Sequence, residues 1–93
     1  MTLRTTIDDA SVRRWHRKQL RRDEIEALDF IALADGEGLV LAYDVAQQVG
    51  WEPRSAGAKL RSLYLRGYLR YWAVPNARLN GWELTDTGRL VVG

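Results

Sequence analysis

The 93-residue sequence has no cysteine, one histidine, one methionine and two prolines. Without cysteine the chain forms neither disulfides nor thiolate metal sites, and a reducing compartment, here the cytoplasm, is the expected location. No apolar run approaches the roughly 20 residues that span a bilayer. Residues 1–10 also lack the apolar segment of a secretory signal. We therefore expect no membrane partner.

Signatures of catalysis are missing as well. The single histidine, His16, has no metal-ligating partner at a suitable spacing and is expected at an exposed helix position among basic neighbours. The acids Asp23, Glu24 and Glu26 open a predicted helix, where the helix dipole explains them better than acid–base chemistry. The sequence shows no nucleophile with a base and no phosphate-binding loop. We expect no enzymatic activity, no metal and no other cofactor.

The charges are distributed in three blocks, although the net charge is only +2. Residues 1–22 carry seven cations and two acids, a net charge of +5. Residues 23–52 carry eight acids and no Lys or Arg, and residues 53–71 carry five cations and no acid. Blocks of opposite sign in so short a chain predict distinct charged faces. The alternative is that the basic blocks simply neutralise the acidic one.

Residues 45–69 have the pattern of two helices joined by a tight turn. An apolar stripe over 45–49 ends at Gly50, a residue type that adopts the left-handed helix cap without steric cost. Pro53 suits the first position of a second helix, where no backbone N–H is needed. Three- and four-residue spacing gives this second helix one buried face, formed by Ala56, Leu60, Leu63 and Tyr64.

The opposite face of the second helix is basic or carries small side chains. It consists of Arg54, Gly57, Ala58 and Arg61, bordered by Ser55, Lys59 and Ser62. Arginine can contact phosphates or guanine edges, hydroxyl groups can contact either, and the two small residues allow close approach. Two helices of this kind form a helix-turn-helix, and this face is suited to the major groove of duplex DNA.

The flanking segments predict two helices before the motif and a hairpin after it. The first helix begins at Thr6 or Asp8 and runs to about Leu20, and the second spans 22–34 with an apolar stripe that includes Phe30 and Leu33. A turn at 35–38 and a short strand at 39–41 precede the motif. Gly67 ends the last motif helix, and a strand at 69–74, a loop at 75–81 and a returning strand at 82–84 follow. Thr85 caps a final short helix.

This order of elements resembles the winged helix-turn-helix domain of bacterial regulators of the MarR, ArsR and PadR type. The resemblance covers roughly residues 20–90 and rests on LAYDVAQQVG before the turn, KLRSLYLRGYL across the second motif helix and GWELTDTGR after the wing. It implies a mainly α fold with a small β-hairpin, in the α+β class. The expected organisation is a basic N-terminal helix or arm at 1–21 and a winged helix-turn-helix domain at 22–93. Trp51 replaces a smaller aliphatic residue, so its ring is expected in the core.

The resulting expectation is a sequence-specific or semi-specific duplex DNA-binding protein that regulates transcription. The recognition helix, about 53–66, would enter the major groove, and the wing at 75–81 would contact the adjacent groove or the backbone. The expected DNA-contacting residues are Arg54, Ser55, Gly57, Ala58, Lys59, Arg61, Ser62, Arg70 and Arg78.

A rival interpretation is a small winged-helix module that binds a protein and not DNA, for example a phage or mobile-element factor that binds a host protein. Tyr64 and Leu65 are apolar on the recognition helix, and the acids Asp44 and Glu52 lie near its exposed face. Acids at that position would repel phosphate, and apolar side chains suit a protein partner.

The first helix has a thin apolar stripe of Val12 and Trp15 with Gln19 or Leu20, surrounded by cations. A helix of this kind is not stable alone and must dock on the domain, on a second copy of the chain or on an anionic surface. Homodimer formation through this helix is expected, with Val12 and Trp15 at the interface. Leu65 is a further interface candidate, or packs against the same helix. Core or hairpin packing is the expected role of Trp72 and Trp82.

Overall fold

The computed structural model describes residues 8–34, 40–74 and 79–92. Within these ranges five helices and one antiparallel hairpin follow one another along the chain. They are α1 (Asp9–Gln19), α2 (Arg22–Leu33), α3 (Ala42–Val49), α4 (Pro53–Leu65), β1 (Leu69–Val74), β2 (Leu79–Leu84) and α5 (Asp86–Val92). This is the element order of a winged helix-turn-helix with an additional N-terminal helix, and it confirms the fold class predicted from the sequence.

The ends of the helices coincide with residues that favour them. Asp8 precedes α1, and its side chain accepts a hydrogen bond from a backbone N–H of the first turn. Gly50 ends α3 at φ 84° and Gly67 follows α4 at φ 89°, in the left-handed region where glycine is at no disadvantage. Pro53 is the first residue of α4. The local sequence therefore determines the short connection between α3 and α4.

One hydrophobic core joins α2, α3, α4, α5 and the inner face of the hairpin. The largest completely buried side chains are Leu28, Ile31, Val45, Leu60, Leu63, Leu69 and Val91. Trp51 lies in the turn between α3 and α4 and is only 8% exposed, so the prediction that its ring fills the core is confirmed.

Two predicted core positions are wrong. Leu33 is 83% exposed and Tyr64 is 44% exposed. Both residues lie at the edge of an apolar stripe. Helical periodicity places such residues near the core, but it cannot say whether a neighbouring element reaches far enough to cover them.

The structure also corrects the expected surroundings of α1. This helix packs against α5, and Leu65 does not pack on it but is 68% exposed. His16, expected in the open, is half-buried. Leu20 is buried and is the member of the stripe that anchors α1 to the core. The division of the chain into an arm at 1–21 and a domain at 22–93 stays a prediction.

The hairpin has one inner and one outer face, because side chains alternate along each strand. Leu69 pairs with Leu84 and Tyr71 with Trp82 on the inner face. The outer face carries Arg70, and β2 begins at 79, so this strand is longer than the predicted 82–84. Residues 75–78, most of the predicted wing loop, lie outside the described residues, as does the turn expected at 35–38.

The short strand expected at 39–41 is reduced to one bridge. Val40 donates to and accepts from the backbone of Trp82, at 3.2 and 2.9 Å. Residue 39 lies outside the described residues, and Leu41 is the N-cap of α3. The bridge fixes the start of α3 against the hairpin.

A tight corner joins the hairpin and α5 to the end of α4. The Thr85 hydroxyl donates to the Gly67 carbonyl at 2.6 Å and accepts from the Gly88 N–H at 3.1 Å, so the predicted cap at Thr85 is confirmed. A Cβ on Gly88 would lie 2.3 Å from the carbonyl oxygen of Tyr68. Glycine is therefore required at position 88 by the close approach of another backbone.

The substitution Gly88→Ala should lower the free energy of unfolding by about 1–3 kcal/mol, because the added methyl group must push the Tyr68 backbone away. Gly57→Ala is the matched control: Gly57 lies inside α4, and its Cβ would meet nothing within 4 Å. That change should raise the same quantity by up to about 1 kcal/mol through helix propensity. Urea titration followed by circular dichroism measures both, and equal effects would contradict the packing described.

Candidate nucleic-acid interface

Helix α4 presents an exposed face opposite its buried residues Ala56, Leu60 and Leu63. The structure brings five of the predicted site residues together on that exposed face: Arg54, Gly57, Ala58, Arg61 and Ser62. Ser55 is half-buried at the border. We call this surface the α4 face; it consists of Arg54, Ser55, Gly57, Ala58, Arg61 and Ser62.

The guanidinium groups of Arg54 and Arg61 are exposed and have no ion-pair partner among the described residues. They lie two turns apart on one side of α4, so both can reach the same ligand surface. Ala58 and Gly57 between them add almost no bulk. The α4 face can therefore approach an extended anion closely and contact it at two points.

Lys59 is placed away from the other site residues. Its ammonium lies 3.9 Å from the Asp23 carboxylate and 5.2 Å from the centre of the Trp51 ring. The Trp51 indole N–H donates to the same carboxylate at 2.9 Å. Lys59 thus faces the start of α2 and pairs with an acid there, and helical spacing within α4 carries no sign of this pairing.

A second ion pair joins the start of α2 to the end of α4. Glu24, only 8% exposed, pairs with Arg66 at the end of α4. Its other carboxylate oxygen accepts from the backbone N–H of Arg21 at 2.8 Å. The acids at the start of α2 do sit where a helix dipole favours them, and two of them, Asp23 and Glu24, also pair with Lys59 and Arg66. We call Asp23, Glu24, Lys59 and Arg66 the α2–α4 clamp.

The environment of Asp23 favours its ionised form. Partial burial raises the pKa of this carboxyl group, but the hydrogen bonds from Trp51 and from the Glu24 backbone, with the charges of Arg21 and Lys59, outweigh burial and hold the pKa below its usual 3.8. Asp23 is therefore a fixed negative charge near neutral pH, and Lys59 stays engaged.

The hairpin contributes less positive charge than its sequence suggests. Arg70 on β1 lies 3.7 Å from Glu83 on β2, so its charge is partly neutralised. Trp72, beside it on the outer face, is 48% exposed and takes no part in the buried core, so packing within the hairpin is the part of its expected role that stays a prediction. Arg78 lies outside the described residues.

Helix α1 uses two of its cations for packing. Arg13 Nε donates to the Leu90 carbonyl at 3.0 Å, and an amino group of Arg17 donates to the Val91 carbonyl at 2.8 Å. Both carbonyls lie in the last turn of α5, where cations are favoured and acceptors are otherwise left over. These two arginines hold α1 on α5 and are not free for phosphate.

The outward face of α1 combines a large ring with positive charge. Trp15 is 59% exposed, and a shallow surface depression is lined by Ser11, Arg14, Trp15 and Lys18. Val12 is half-buried. Exposed tryptophan is costly to hydrate, so this face is a candidate for a further interface.

A hydrogen bond between side chains connects α1 to the end of the recognition helix. His16 Nδ1 lies 2.8 Å from the Tyr68 hydroxyl, and the two rings meet edge to face. Burial raises the pKa of Tyr68, a shift that Arg66 opposes and Glu24 reinforces. Tyr68 therefore keeps its proton and its hydrogen bond to His16.

Other kinds of site find no support in the described part of the chain. The described residues contain no group of three or more His, Cys, Asp or Glu side chains placed to hold a metal ion. Among the helices of the described ranges, none has the length and apolar character needed to cross a membrane.

This architecture is the winged helix-turn-helix of MarR-type regulators. No family model and no curated protein sequence matches the chain. The similarity to known proteins reported below is therefore a similarity of fold.

Several solved regulators share the fold. MepR of Staphylococcus aureus, a transcription regulator of the multidrug efflux pump MepA, superimposes with a TM-score of 0.68 at 16% identity, over 89% of this chain and 62% of MepR. MepR bound to DNA gives 0.67 at 15% identity, over 89% and 60% of the two chains. Streptococcus pneumoniae FabT in complex with DNA gives 0.66 at 21%, over 81% and 51%. The chain thus spans less than two thirds of each of these regulators.

Acidification should weaken the α2–α4 clamp. Because the pKa of Asp23 is lower in the folded than in the unfolded chain, its contribution to stability is present above its usual value of 3.8 and is lost as the pH falls through the lowered value. Asp23→Asn should therefore cost about 1 kcal/mol at pH 7 and progressively less below pH ~4.

The measurement is the free energy of unfolding from pH 7 to pH 2.5, with Asp44→Asn as control, since Asp44 is an exposed acid on α3. A constant difference between Asp23→Asn and the unsubstituted chain at every pH would show that the carboxylate charge is not what stabilises the pair.

Proposed function

We propose that this protein binds duplex DNA and regulates transcription, with the α4 face in the major groove. The observation that carries the proposal is the pair of exposed arginines, Arg54 and Arg61, without ion-pair partners among the described residues and with only small side chains between them. MepR and FabT were both solved with DNA, which supports the same use of the fold here.

In this proposal the two arginines divide the work. Arg54, in the first turn of α4, contacts phosphate or a base edge, and Arg61 reads a guanine or holds a phosphate further along the groove. Ser55 and Ser62 supply hydroxyl contacts, and Ala58 meets a thymine methyl group. Arg70 and Arg78 of the wing add backbone or minor-groove contacts. Lys59 contributes long-range charge only, because it is held by Asp23.

The α4 face is poor in side chains that distinguish bases, so specificity needs more than one copy. We propose a homodimer that forms through α1, with Trp15 as the anchor and Val12 and Leu65 nearby. Trp15 and Leu65 are 59% and 68% exposed, and burying them would supply apolar contact area. Two copies related by a two-fold axis would read two half-sites and double the number of contacts.

Duplex binding should be strongly salt-dependent. If four to six cations contact phosphate, the logarithm of the association constant should fall with the logarithm of salt concentration at a slope of about −4 to −5. Fluorescence anisotropy with random duplex at 50 and 200 mM salt measures this slope. Undetectable affinity at low salt, or affinity independent of salt, would reject DNA binding in favour of a protein-binding module.

Arg61→Ala should weaken binding to a selected duplex by about 1–3 kcal/mol if Arg61 reads a base. Arg54→Ala should weaken binding to all duplexes to a similar extent if it holds phosphate. Arg89→Ala is the control with the same charge change, because Arg89 lies on α5 beside Asp86. Equal losses in all three variants would mean that net charge, and not the α4 face, determines affinity.

The dimer has its own test. Trp15→Ala should lower the mass observed by sedimentation velocity at micromolar protein from that of two chains to that of one, because the anchor ring is lost. Trp72→Ala removes an equally exposed tryptophan from the hairpin and should leave the mass unchanged. A single-chain mass for the unsubstituted protein would overturn the dimer proposal.

A further inference from the structure

A groove of about 410 Å³ lies between the recognition helix and the hairpin. Its lining residues come from α4, β1 and β2 and are Gly57, Arg61, Tyr64, Tyr71 and Trp82. The groove opens beside the α4 face, since Gly57 and Arg61 belong to both. The duplex-binding proposal does not use its three aromatic rings, and of the three only Trp82 belongs to the core.

The aromatic rings form a partly open platform. Trp82 is 7% exposed and forms the base, with the ring of Tyr71 4.7 Å away and that of Tyr64 6.4 Å away, centre to centre. Tyr64 and Tyr71 remain 44% and 43% exposed. Each tyrosine is thus held on one side by Trp82 and keeps ring surface available to a planar ligand.

The charge of the groove is complementary to an anion. Arg61 is its only charged residue among the described lining residues, and its guanidinium has no ion-pair partner within the described ranges. At Gly57 a Cβ would meet nothing within 4 Å, so a ligand can reach the rings and the arginine together. A flat ring attached to an anionic group meets both requirements.

We propose that this groove binds one unpaired nucleotide, with the base stacked on Tyr64 or Tyr71 and the phosphate paired with Arg61. A base inside a duplex has both faces stacked on its neighbours and cannot use these rings. The ligand is therefore a base of single-stranded nucleic acid or a free nucleotide, which share the same chemistry: a heteroaromatic ring beside a phosphate.

The outer face of the hairpin offers a weaker alternative. Trp72 and Arg70 are both exposed there, but Arg70 is already 3.7 Å from Glu83. Among the described residues, only the groove combines two half-exposed rings with a cation that has no ion-pair partner. Because Arg61 serves both sites, a nucleotide in the groove and a duplex on the α4 face compete for one guanidinium.

The first experiment compares labelled twelve-nucleotide strands of thymidine and of abasic sites by fluorescence anisotropy. The two strands carry the same phosphates, so any difference in affinity comes from the bases. The thymidine strand should bind about 5- to 150-fold more tightly, the range that one stacked base provides. Calorimetry with adenosine monophosphate tests the free nucleotide as the alternative source.

Substitutions then locate the stacking. Tyr64→Ala and Tyr71→Ala should each reduce the preference for bases, whereas Tyr71→Phe should retain it because the ring remains. Tyr43→Ala is the control, since Tyr43 is 57% exposed on α3 and lies outside the groove. If Tyr71→Ala fails to fold, Tyr71→Leu keeps an apolar side chain while removing the ring.

The outcomes separate the proposals. Preference for the thymidine strand, or saturable binding of adenosine monophosphate, that is reduced by Tyr64→Ala or by Tyr71→Ala supports the groove and identifies its source. Equal affinity for the two strands without nucleotide binding overturns it, as does a preference abolished by Trp72→Ala and untouched by the tyrosines. Arg54→Ala should weaken duplex binding alone, so failure of the duplex proposal is distinguishable from failure of the groove.

Discussion

The orientation of the recognition helix depends on the α2–α4 clamp. Asp23 and Glu24 stand side by side at the start of α2 and take one cation each from the middle and the end of α4. The completely buried Leu60 and Leu63 define the inner face of α4, and the paired charges with an added indole hydrogen bond lie along its flank. The outward side chains of α4 are therefore positioned by apolar packing together with acids that lie on another helix.

The α2–α4 clamp also shows what some charges of the three blocks do: acids of the second block pair with cations of the third. The acidic block does not simply neutralise the basic ones: Asp23 and Glu24 pair with Lys59 and Arg66, whereas Arg54 and Arg61 have no ion-pair partner among the described residues. The N-terminal block is divided in the same way, with Arg13 and Arg17 bound to carbonyl groups of α5 and Arg14 and Lys18 facing outward. Cations of similar appearance in the sequence thus have structural or exposed roles according to their helix face.

The sequence predicts the fold well because its decisive features are local. Gly50 and Pro53 mark the turn between α3 and α4, and Gly67 follows the end of the motif. The three-residue spacing of Leu60 and Leu63 predicts the buried face of α4. The site is predicted only in part, because burial and ion pairing depend on distant neighbours. Lys59 and Arg61 are both cations of the same helix and are equivalent by sequence pattern. In the structure Lys59 pairs with Asp23, whereas Arg61 has no ion-pair partner among the described residues.

The errors follow the same division. Leu33 and Tyr64 fit a helical stripe, but the described neighbouring elements leave them 83% and 44% exposed. His16 is held by Tyr68, 52 residues further along the chain, and helical spacing within α1 carries no sign of this pairing. A contact between residues so far apart in sequence can be identified only once the fold is known. The same holds for the aromatic groove, whose residues come from α4, β1 and β2.

Tyr68 lies at a junction where four elements of the fold meet. It lies between α4 and β1, its carbonyl oxygen meets the backbone at Thr85 and Gly88 in and beside α5, and its hydroxyl group meets His16 of α1. The contact between His16 and Tyr68 therefore joins α1, whose Trp15 is exposed, to the junction between the recognition helix and the hairpin. The N-terminal helix and this junction are in direct contact, although they are far apart along the chain.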